Sequence, residues 1–375
     1  MSAESNRIYA HRMLTEIYEQ PGAWRATIER SVEGGQIFAR ELASLGQGVR
    51  AFEKLVIAAS GSSRNAGLAG ELQIEDLSGL PVDVEYASEY AYRSPGSSAG
   101  TLVMVISQSG ASADAVAALR EARKRGAATL GLTNAPDSVI AREADAKLLT
   151  RATAELAVPA TKSFTTQLAV LFLFALRMAC ERGRMDAGAA AGQIERLRAL
   201  PGQLEQRLDA WSAESLAAAR RFAGCKVFQC IGRGVHYAIA REGALKLKEI
   251  TYSHAEGYPA GELLHGPNAL VGESSVVVAL ATRDQADPGS VVRYEKTLAV
   301  LEYVKARHGR TLIISCEGDR RAAALGDATL FVPDAPELLL PLLEVVPLQL
   351  FAYHFGVLHG CDVDHPKNLV KAVTT

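Results

Sequence analysis

Short runs of apolar and β-branched residues recur along this chain, and most are followed by a glycine and serine turn and then by helical spacing of apolar positions. In the first half, the predicted strands are LVIAAS at 55–60, Val82–Tyr86, TLVMVIS at 101–107 and ATLGLTN at 128–134. Helical segments follow the first strand, to about Leu77, and the third. Strands that alternate with helices are typical of a parallel sheet covered on both faces. This pattern predicts a doubly wound α/β domain.

The second half of the chain repeats the same order of elements. Its predicted strands lie within KVFQCIGRG at 226–234, SSVVVALAT at 274–282 and TLIISC at 311–316, with helices at Val235–Ile250 and Val291–Arg307. A repeat of about 170 residues is far longer than a solenoid unit, so it indicates two similar domains. We therefore predict an α/β fold of two tandem doubly wound parallel-sheet domains.

Two helical regions frame and join these domains. Residues Ile8–Gln47 have helical spacing that is broken at Pro21, which predicts a helical arm. The charged segment Ala179–Arg220 predicts a helical connector that is interrupted at Pro201-Gly202. The predicted divisions are an N-terminal helical arm at 1–45, a first domain at 46–185, a second domain at 186–355 and a C-terminal tail at 356–375.

Composition narrows the classes of function. With 375 residues, 48% of them apolar, the chain can bury a sizeable core. Its 40 basic and 42 acidic residues form no long runs of one sign, so nucleic acid is not an expected partner. Five scattered cysteines without a C-x-x-C pair indicate buried thiols in a reducing compartment. We expect no metal and no organic cofactor.

The sequence carries no evident membrane or export signal. Its N-terminal residues lack the apolar stretch of a signal peptide. The longest apolar run, Leu168–Leu176, is shorter than the roughly 20 residues of a membrane span. We expect this run to be buried within the fold or at a subunit interface, and the protein to be cytoplasmic with no membrane partner.

Two polar loops lie where predicted strands lead into helices, at Ser60–Ser63 and Ser107–Ser112. Hydroxyl groups and the free N–H groups of a helix N-terminus favour an anion there. Serine and glycine are also ordinary turn and N-cap residues, which is the alternative. Neither loop matches a nucleotide-binding pattern, so we predict a sugar phosphate as ligand. The corresponding loop of the second half, 281–290, has a different character, and we expect only the first domain to keep a ligand loop.

One helix and one turn in the second half carry candidate acid–base groups. Glu242, Lys246 and Glu249 lie at i, i+4 and i+7 on one helix face, a spacing that a solvated salt-bridge face would also show. Moving a proton between adjacent sugar carbons needs a carboxylate, and ring opening needs an acid or base. Our candidates are Glu249 and His265. Lys371 lies either in a frayed tail or in a pocket where it forms a Schiff base, and spacing does not decide between them.

Seven segments carry a resemblance that covers nearly the whole chain. They are MLTEIYEQP (13–21), ASGSSRNAG (59–67), SQSGASAD (107–114), ATKSFTTQL (160–168), EGALKLKEITYSHAEGYPAGELLHGP (242–267), VPLQLFAYH (346–354) and DVDHPKNLVKAVT (362–374). Through them the chain resembles the sugar isomerase (SIS) domain family. The resemblance includes the isomerase half of glutamine–fructose-6-phosphate transaminase, which is glucosamine-6-phosphate synthase, and the SIS-type glucosamine-6-phosphate deaminases. It implies two tandem SIS domains of the flavodoxin-like kind.

The resemblance implies a set of residues that bind the substrate. These would hold the phosphate and the sugar: Ser62, Ser63, Ser107, Gln108, Ser109, Ser112, Val158 and Ala160. It also implies catalytic roles. Glu249 would shuttle a proton between C1 and C2, and Lys246 would hold substrate oxygens beside it. His265 would assist ring opening from the neighbouring subunit of a homodimer, and Lys371, in a tail that closes the site, would form the ketose Schiff base.

Two departures from the synthase pattern bear on the reaction. The loop reads SQSGAS rather than SQSGET, and VPATK stands where the synthases have VASTK, so both lean toward the deaminases. The chain also starts at the helical arm without a glutaminase domain or an N-terminal cysteine nucleophile. We therefore expect a glucosamine-6-phosphate deaminase that gives fructose 6-phosphate and ammonia.

Other functions remain open at this point. One alternative is a synthase half that uses free ammonia or a separate glutaminase, and another is a plain aldose–ketose phosphate isomerase. A third is a non-catalytic sugar-phosphate sensor. The presence of Glu249, His265 and Lys371 together argues against the sensor, which needs a phosphate loop but no proton shuttle.

Overall fold

The computed structural model describes residues 9–45, 48–93 and 98–374, and it begins with a helical segment. Helices α1 (Arg12–Tyr18) and α2 (Gln20–Ser31) precede a hairpin of β1 (Val32–Glu33) and β2 (Gln36–Ile37). The arm is thus α-helical only as far as Ser31, and a 3-10 turn at Ala43–Leu45 follows the hairpin. The predicted break at Pro21 is confirmed to within two residues, because α1 ends at Tyr18 and Pro21 lies in the first turn of α2, where its missing N–H is not needed. Residues 1–8 and 46–47 of the predicted arm lie outside the described residues.

Five parallel strands form the first sheet, in the order β4-β3-β5-β6-β7. The strands are β3 (Lys54–Ala59), β4 (Val82–Tyr86), β5 (Thr101–Ile106), β6 (Ala128–Thr133) and β7 (Ala146–Leu149). Helices α3 (Gly61–Ser78), α4 (Ala87–Tyr90), α5 (Ala113–Lys124) and α6 (Val139–Glu143) connect them. The three central strands are almost wholly buried, as their continuous apolar runs require.

A second sheet follows two long helices, α7 (Lys162–Glu181) and α8 (Ala187–Arg221). Its strands are β8 (Val227–Gly232), β9 (His254–Pro259), β10 (Ser275–Ala281), β11 (Arg310–Cys316) and β12 (Ala328–Val332), in the parallel order β9-β8-β10-β11-β12. Its helices are α9 (Val235–Thr251), α10 (Pro288–Lys305), α11 (Arg320–Leu325) and α12 (Leu340–Leu358). Both sheets therefore have the flavodoxin-like order 2-1-3-4-5, and the predicted fold is confirmed.

The predicted interruption of the connector at Pro201-Gly202 is wrong. Helix α8 runs for 35 residues straight through Pro201. A proline inside a helix costs about 3 kcal/mol, whereas each large apolar side chain that is fully buried contributes about 1.5–3 kcal/mol. Leu197, Leu204 and Trp211 are all buried along this helix, so packing outweighs the local penalty.

Two helices, Lys162–Glu181 and Glu337–Leu358, are long and apolar enough to cross a membrane by length and composition. However, 89% of the apolar window of each is buried inside the fold, as in the core helices of many proteins. The predicted burial of Leu168–Leu176 is confirmed. One apolar cluster includes both helices and residues of both sheets, so the two domains share a core.

The cysteines are all free thiols, but they are not all buried as expected. Three of them, Cys225, Cys230 and Cys316, are buried, whereas Cys180 and Cys361 are only partly covered. The domain boundaries at 45, 185 and 355 stay a prediction.

Candidate active site

The candidate site lies at the carboxyl edge of the first sheet, where the strand order reverses between β3 and β5. Loops that leave two such strands diverge to opposite faces of the sheet and open a crevice between them. The predicted loops Ser60–Ser63 and Ser107–Ser112 leave these two strands. Helix α9 of the second domain packs against α3, so it brings its charged face to the same place.

Three serine hydroxyls converge at the start of α5. The Oγ atoms of Ser107 and Ser112 are 3.1 Å apart, and that of Ser109 is 3.5 Å from each. Ser112 is the N-cap residue of α5, yet its hydroxyl makes no capping hydrogen bond. The hydroxyl is therefore left to face the other two, which favours anion binding over an ordinary cap.

Gly110 allows this loop its tight course. Its φ of 61° lies in the left-handed region, and a Cβ atom here would stand 2.0 Å from the Oγ of Ser138. Its N–H donates to Ser107 Oγ at 3.1 Å. The carbonyl of Gln108 accepts hydrogen bonds from the N–H of Asn134 and the hydroxyl of Thr133 at 3.1 and 3.2 Å. Backbone groups and the oxygens of Ser107 and Ser109 thus hold the loop, and the hydroxyl hydrogens stay available to a ligand.

The first turn of α3 carries two predicted substrate-binding serines, and they contact different neighbours. Ser63 Oγ accepts a hydrogen bond from Gln167 of α7 at 3.1 Å. Ser62 instead donates to Glu242 Oε1 at 2.8 Å and accepts from Lys246 Nζ at 3.2 Å. In this structure Ser62 therefore belongs with the charged face of α9 rather than with the serine loop.

The charged face of α9 is buried between the domains and is not a solvated salt-bridge face. Lys246 Nζ lies 2.6 Å from Glu249 Oε2 and 3.4 Å from Glu242 Oε1, and both Lys246 and Glu242 have 0% exposure. The second oxygen of Glu242 accepts from Asn65 Nδ2 at 2.8 Å. Only the side chain of Glu249, at 22% exposure, reaches open space.

Glu242, Lys246 and Glu249 form a triad whose members differ in their electrostatic surroundings. Burial opposes the charge of Lys246, but Glu249 and Glu242 outweigh it and raise the pKa of the ammonium group. Burial raises the pKa of Glu242, and the nearby Lys246 partly offsets this effect. Lys246 is therefore a permanent cation, and Glu249, the partly exposed member, remains the predicted candidate for proton exchange with a ligand.

The C-terminal tail is docked and not frayed. Lys371 Nζ donates to Glu155 Oε2 at 2.6 Å and to the carbonyl of Ala157 at 2.7 Å. The carbonyl of Val373 accepts from the N–H of Ala113, the first residue of α5, at 3.0 Å. The tail thus crosses from the loop before α7 to the start of α5.

Glu155 is a site residue that sequence reasoning missed. Its side chain is fully buried and also accepts from the N–H of Thr161 at 2.9 Å and from Ser163 Oγ at 2.6 Å. Burial alone would raise its pKa, but Lys371 and these donors hold the pKa below its usual range. A carboxylate at the carboxyl end of the fifth strand, just before the motif ATKSFTTQL, was the available signal.

The remaining predicted residues lie in two places. Val158 and Ala160 are partly buried in the Glu155 loop, and Val158 donates its N–H to the carbonyl of Asp364 in the tail at 2.9 Å. His265 is exposed after the short helix Glu262–Leu264. Within the described part of this single chain, no hydrogen bond or ion pair joins it to Glu249, so its role across a subunit interface stays a prediction.

The described residues offer no cluster of metal ligands. Among residues 9–45, 48–93 and 98–374, no group of three or more His, Cys, Asp or Glu side chains could hold a metal ion. The serine hydroxyls of the crevice, with Lys246 and Lys371 beside them, suit an oxygen-rich anion.

A family model described as SIS domain matches residues 50–177 and 222–358. The chain belongs to the SIS domain family. The glutamine–fructose-6-phosphate aminotransferase (isomerizing) of Methanosarcina acetivorans is 43% identical over 368 residues, which cover 98% of this chain and 58% of that protein. This SIS chain thus spans less than two thirds of the length of the curated relatives it matches.

Solved structures agree with this assignment. The C-terminal domain of glucosamine-fructose-6-phosphate aminotransferase from Francisella tularensis has 35% identity and a TM-score of 0.88, and the match covers 98% of this chain and 100% of that one. The glucosamine-6-phosphate deaminase of Thermotoga maritima has 20% identity and a TM-score of 0.71, with 97% and 99% covered. At that identity the deaminase shows a shared fold alone.

Proposed function

We propose that this chain is a phosphosugar isomerase of the glucosamine-6-phosphate synthase kind, which forms glucosamine 6-phosphate from fructose 6-phosphate and ammonia. This choice revises the deaminase expectation from sequence. The SQSGAS loop and the VPATK segment favoured a deaminase, but relatives at 41–43% identity are named aminotransferases, whereas the deaminase is only 20% identical. Deamination is the same C1–C2 chemistry in reverse.

The observation that carries the proposal is the buried triad of Glu242, Lys246 and Glu249 beside the three-serine loop. A sugar phosphate held by the loop and the α5 N-terminus would extend along the crevice toward α9. Its C1–C2 end would then meet a fixed cation and one accessible carboxylate. A binding protein needs the loop, but it has no use for a carboxylate held against a buried lysine.

The reaction follows from these groups. Lys371 Nζ adds to the C2 carbonyl and water leaves, which gives an imine; ammonia then adds at C2 and the lysine leaves. Glu249 takes a proton from C1 while the imine nitrogen gains the proton of the C1 hydroxyl. Glu249 returns its proton to C2, and C1 becomes an aldehyde. Lys246 holds the C1 oxygen throughout. Lys371 attacks as the neutral amine after losing a proton to solvent, and Glu155 positions its Nζ for the attack.

The test is to supply fructose 6-phosphate with ammonium chloride and to follow glucosamine 6-phosphate by mass spectrometry. A parallel reaction without ammonium should give glucose 6-phosphate, because the C2 carbonyl oxygen can take the proton that the imine nitrogen takes in its presence. Ammonia release from glucosamine 6-phosphate measures the reverse direction in the same preparation. If the sugar phosphate binds but neither product forms, the sensor alternative replaces this proposal.

We also propose that His265 acts across a homodimer. In that case a His265→Ala variant and a Glu249→Gln variant are each inactive, but a mixed dimer contains one site that has both native residues. Mixing the two variants through mild denaturation and refolding should restore about a quarter of the wild-type activity at equal amounts. Activity that stays absent in verified mixed dimers would place His265 within its own chain's site, or outside the chemistry.

A further inference from the structure

A second cavity, of about 390 Å³, lies on the other face of α9. Its walls come from the start of α3, the end of β4, helix α9 and strand β9, so both domains contribute. Arg64 and Tyr86 lie on the first-domain side, and Arg241, Lys248 and Glu256 lie on the second-domain side. A volume of this size is within the range of small-molecule sites, which is roughly 300–1,000 Å³.

The arginines that line this cavity are only partly satisfied by hydrogen bonds. The guanidinium group of Arg64 lies 3.8 Å above the ring of Tyr86, and two of its nitrogens are buried without a hydrogen-bond partner. Arg241 donates only to neutral oxygens, of Asn65 at 3.4 Å and of Tyr237 at 3.1 Å, and weakly to Tyr86. Across the described residues, neither arginine nor Lys248 forms an ion pair. Burial accordingly lowers the pKa of Arg64.

The charge balance indicates the kind of ligand. Arg64, Arg241 and Lys248 carry three positive charges, and Glu256, which accepts a hydrogen bond from Tyr258, carries one negative charge. The net charge of plus two matches a phosphate monoester, which carries about −1.5 to −2 at neutral pH. Guanidinium groups also bind phosphate oxygens in pairs. We propose that this cavity is a second binding site, for a phosphorylated small metabolite, separate from the serine loop.

One side chain connects this cavity to the catalytic triad. Asn65 donates through Nδ2 to Glu242 Oε2 at 2.8 Å and accepts through Oδ1 from Arg241 Nε at 3.4 Å. A phosphate that engaged Arg241 would compete with Asn65 for this guanidinium group. Occupancy of the cavity is therefore expected to alter the setting of Glu242 and Lys246, and so to change turnover at the first site.

The experiment counts inorganic phosphate bound per chain by calorimetry at low ionic strength, in the full chain and in two variants. The wild type should bind two phosphates per chain. A Ser109→Ala/Ser112→Ala double variant should retain the cavity site, and Arg241→Gln should retain the serine-loop site. Arg123→Gln, an exposed arginine on α5, is the control and should leave both.

Lys248→Gln is a second variant of the cavity, which keeps the test valid if Arg241→Gln does not fold. Lys248 is exposed and makes no ion pair among the described residues, so its replacement should not disturb the fold. It should weaken the cavity site about tenfold, the cost of one hydrogen bond to a charged group. The proposal is overturned if the wild type binds one phosphate per chain and both cation variants leave that binding unchanged. A cavity closed by a second copy of the chain would give this same negative result. Turnover is not measured, so failure of the proposed reaction would leave this count intact.

Discussion

The two halves of this protein have the same strand order. They differ in how charged groups are paired near the switch point of each sheet, which is the place where the strand order reverses. In the first, the serine hydroxyls face one another and Glu155 binds Lys371 of the docked C-terminal tail. In the second, Glu337 occupies the corresponding loop between the fifth strand and the long inner helix. It pairs with Arg293 of α10 and lies 3.3 Å from His236 of α9.

The second switch point is thus a structural ion network. His236 is buried, and its Nδ1 also lies 2.8 Å from Glu344. Burial would lower the pKa of His236, but Glu344 and Glu337 raise it to about 9. In the same way His236 and Arg293 lower the pKa of Glu337 to about 2 against the effect of burial. The repeated topology therefore places loops at equivalent points of the two sheets. A ligand site also needs polar side chains that are not already paired with other residues of the protein.

The largest expected effect is a loss of enzymatic activity from a substitution at the site of the first sheet. Glu249→Gln removes the proton shuttle, and general acid–base catalysis contributes about 10²–10⁴-fold, so kcat should fall about a thousandfold. Because Lys246 keeps Glu242 as a partner, the variant should still fold and bind substrate. Steady-state kinetics with fructose 6-phosphate and ammonium check this, with the exposed Glu302→Gln on α10 as control. A fall of less than about tenfold would remove Glu249 from the chemistry.

The second switch point should instead respond in stability. Since the folded pKa of His236, about 9, lies above the ordinary value of 6.5, its contribution is complete below pH 6.5 and is lost as pH rises through 9. The difference corresponds to about 3 kcal/mol of unfolding free energy at most. Urea unfolding at pH 6 and pH 9 should show this loss in the wild type and not in His236→Gln.

The matched control for that measurement is the exposed His308→Gln, which should behave as the wild type does. At neutral pH the His236 variant should keep its kcat within about twofold, since none of its contacts reaches the first site. A wild-type stability that is flat across this pH range would show that His236 is neutral in the folded protein.

A variant of Glu155 tests whether a carboxylate that is already paired within the protein also supports the reaction. Glu155→Gln removes the carboxylate that positions Lys371 Nζ and should lower kcat about 10–100-fold, because the amine is then held less well for its attack. A purely structural role would not change covalent trapping, so the second readout is borohydride reduction of the Lys371–ketose imine. Its yield after a fixed short time should fall. Glu19→Gln, which breaks the neighbouring pair with Lys162, is the control.

Sequence patterns predicted this fold well where the structure is local. The central strands show up as continuous apolar runs because both of their faces are buried. The strands that the pattern did not reveal all lie at sheet edges: β7, β9 and β12 in the two large sheets, and β1 and β2 in the two-stranded hairpin. The continuous course of α8 through Pro201 was missed because packing far along the chain decides it.

The same distinction applies to the candidate site. The serine loop and the face of α9 are visible as short motifs, because their residues are neighbours in sequence. Glu155 was missed because its meaning comes from Lys371, 216 residues away. Ser62 lies with Lys246 rather than with the serine loop for the same reason, since 184 residues separate the two.

The smallest expected effect compares hydroxyls at the two switch points. Ser109→Ala removes one hydroxyl from the three-serine loop, and a hydrogen bond to a charged group contributes about 1.5–3 kcal/mol, so KM for fructose 6-phosphate should rise about tenfold with kcat nearly unchanged. The counterpart Ser290→Ala removes a buried hydroxyl near the start of α10, where Ser290 Oγ accepts from the N–H of Asp284 at 2.9 Å. That variant should lower stability and leave KM alone. If the two serine variants change KM equally, the second switch point also contributes to substrate binding, and the asymmetry between the two halves fails.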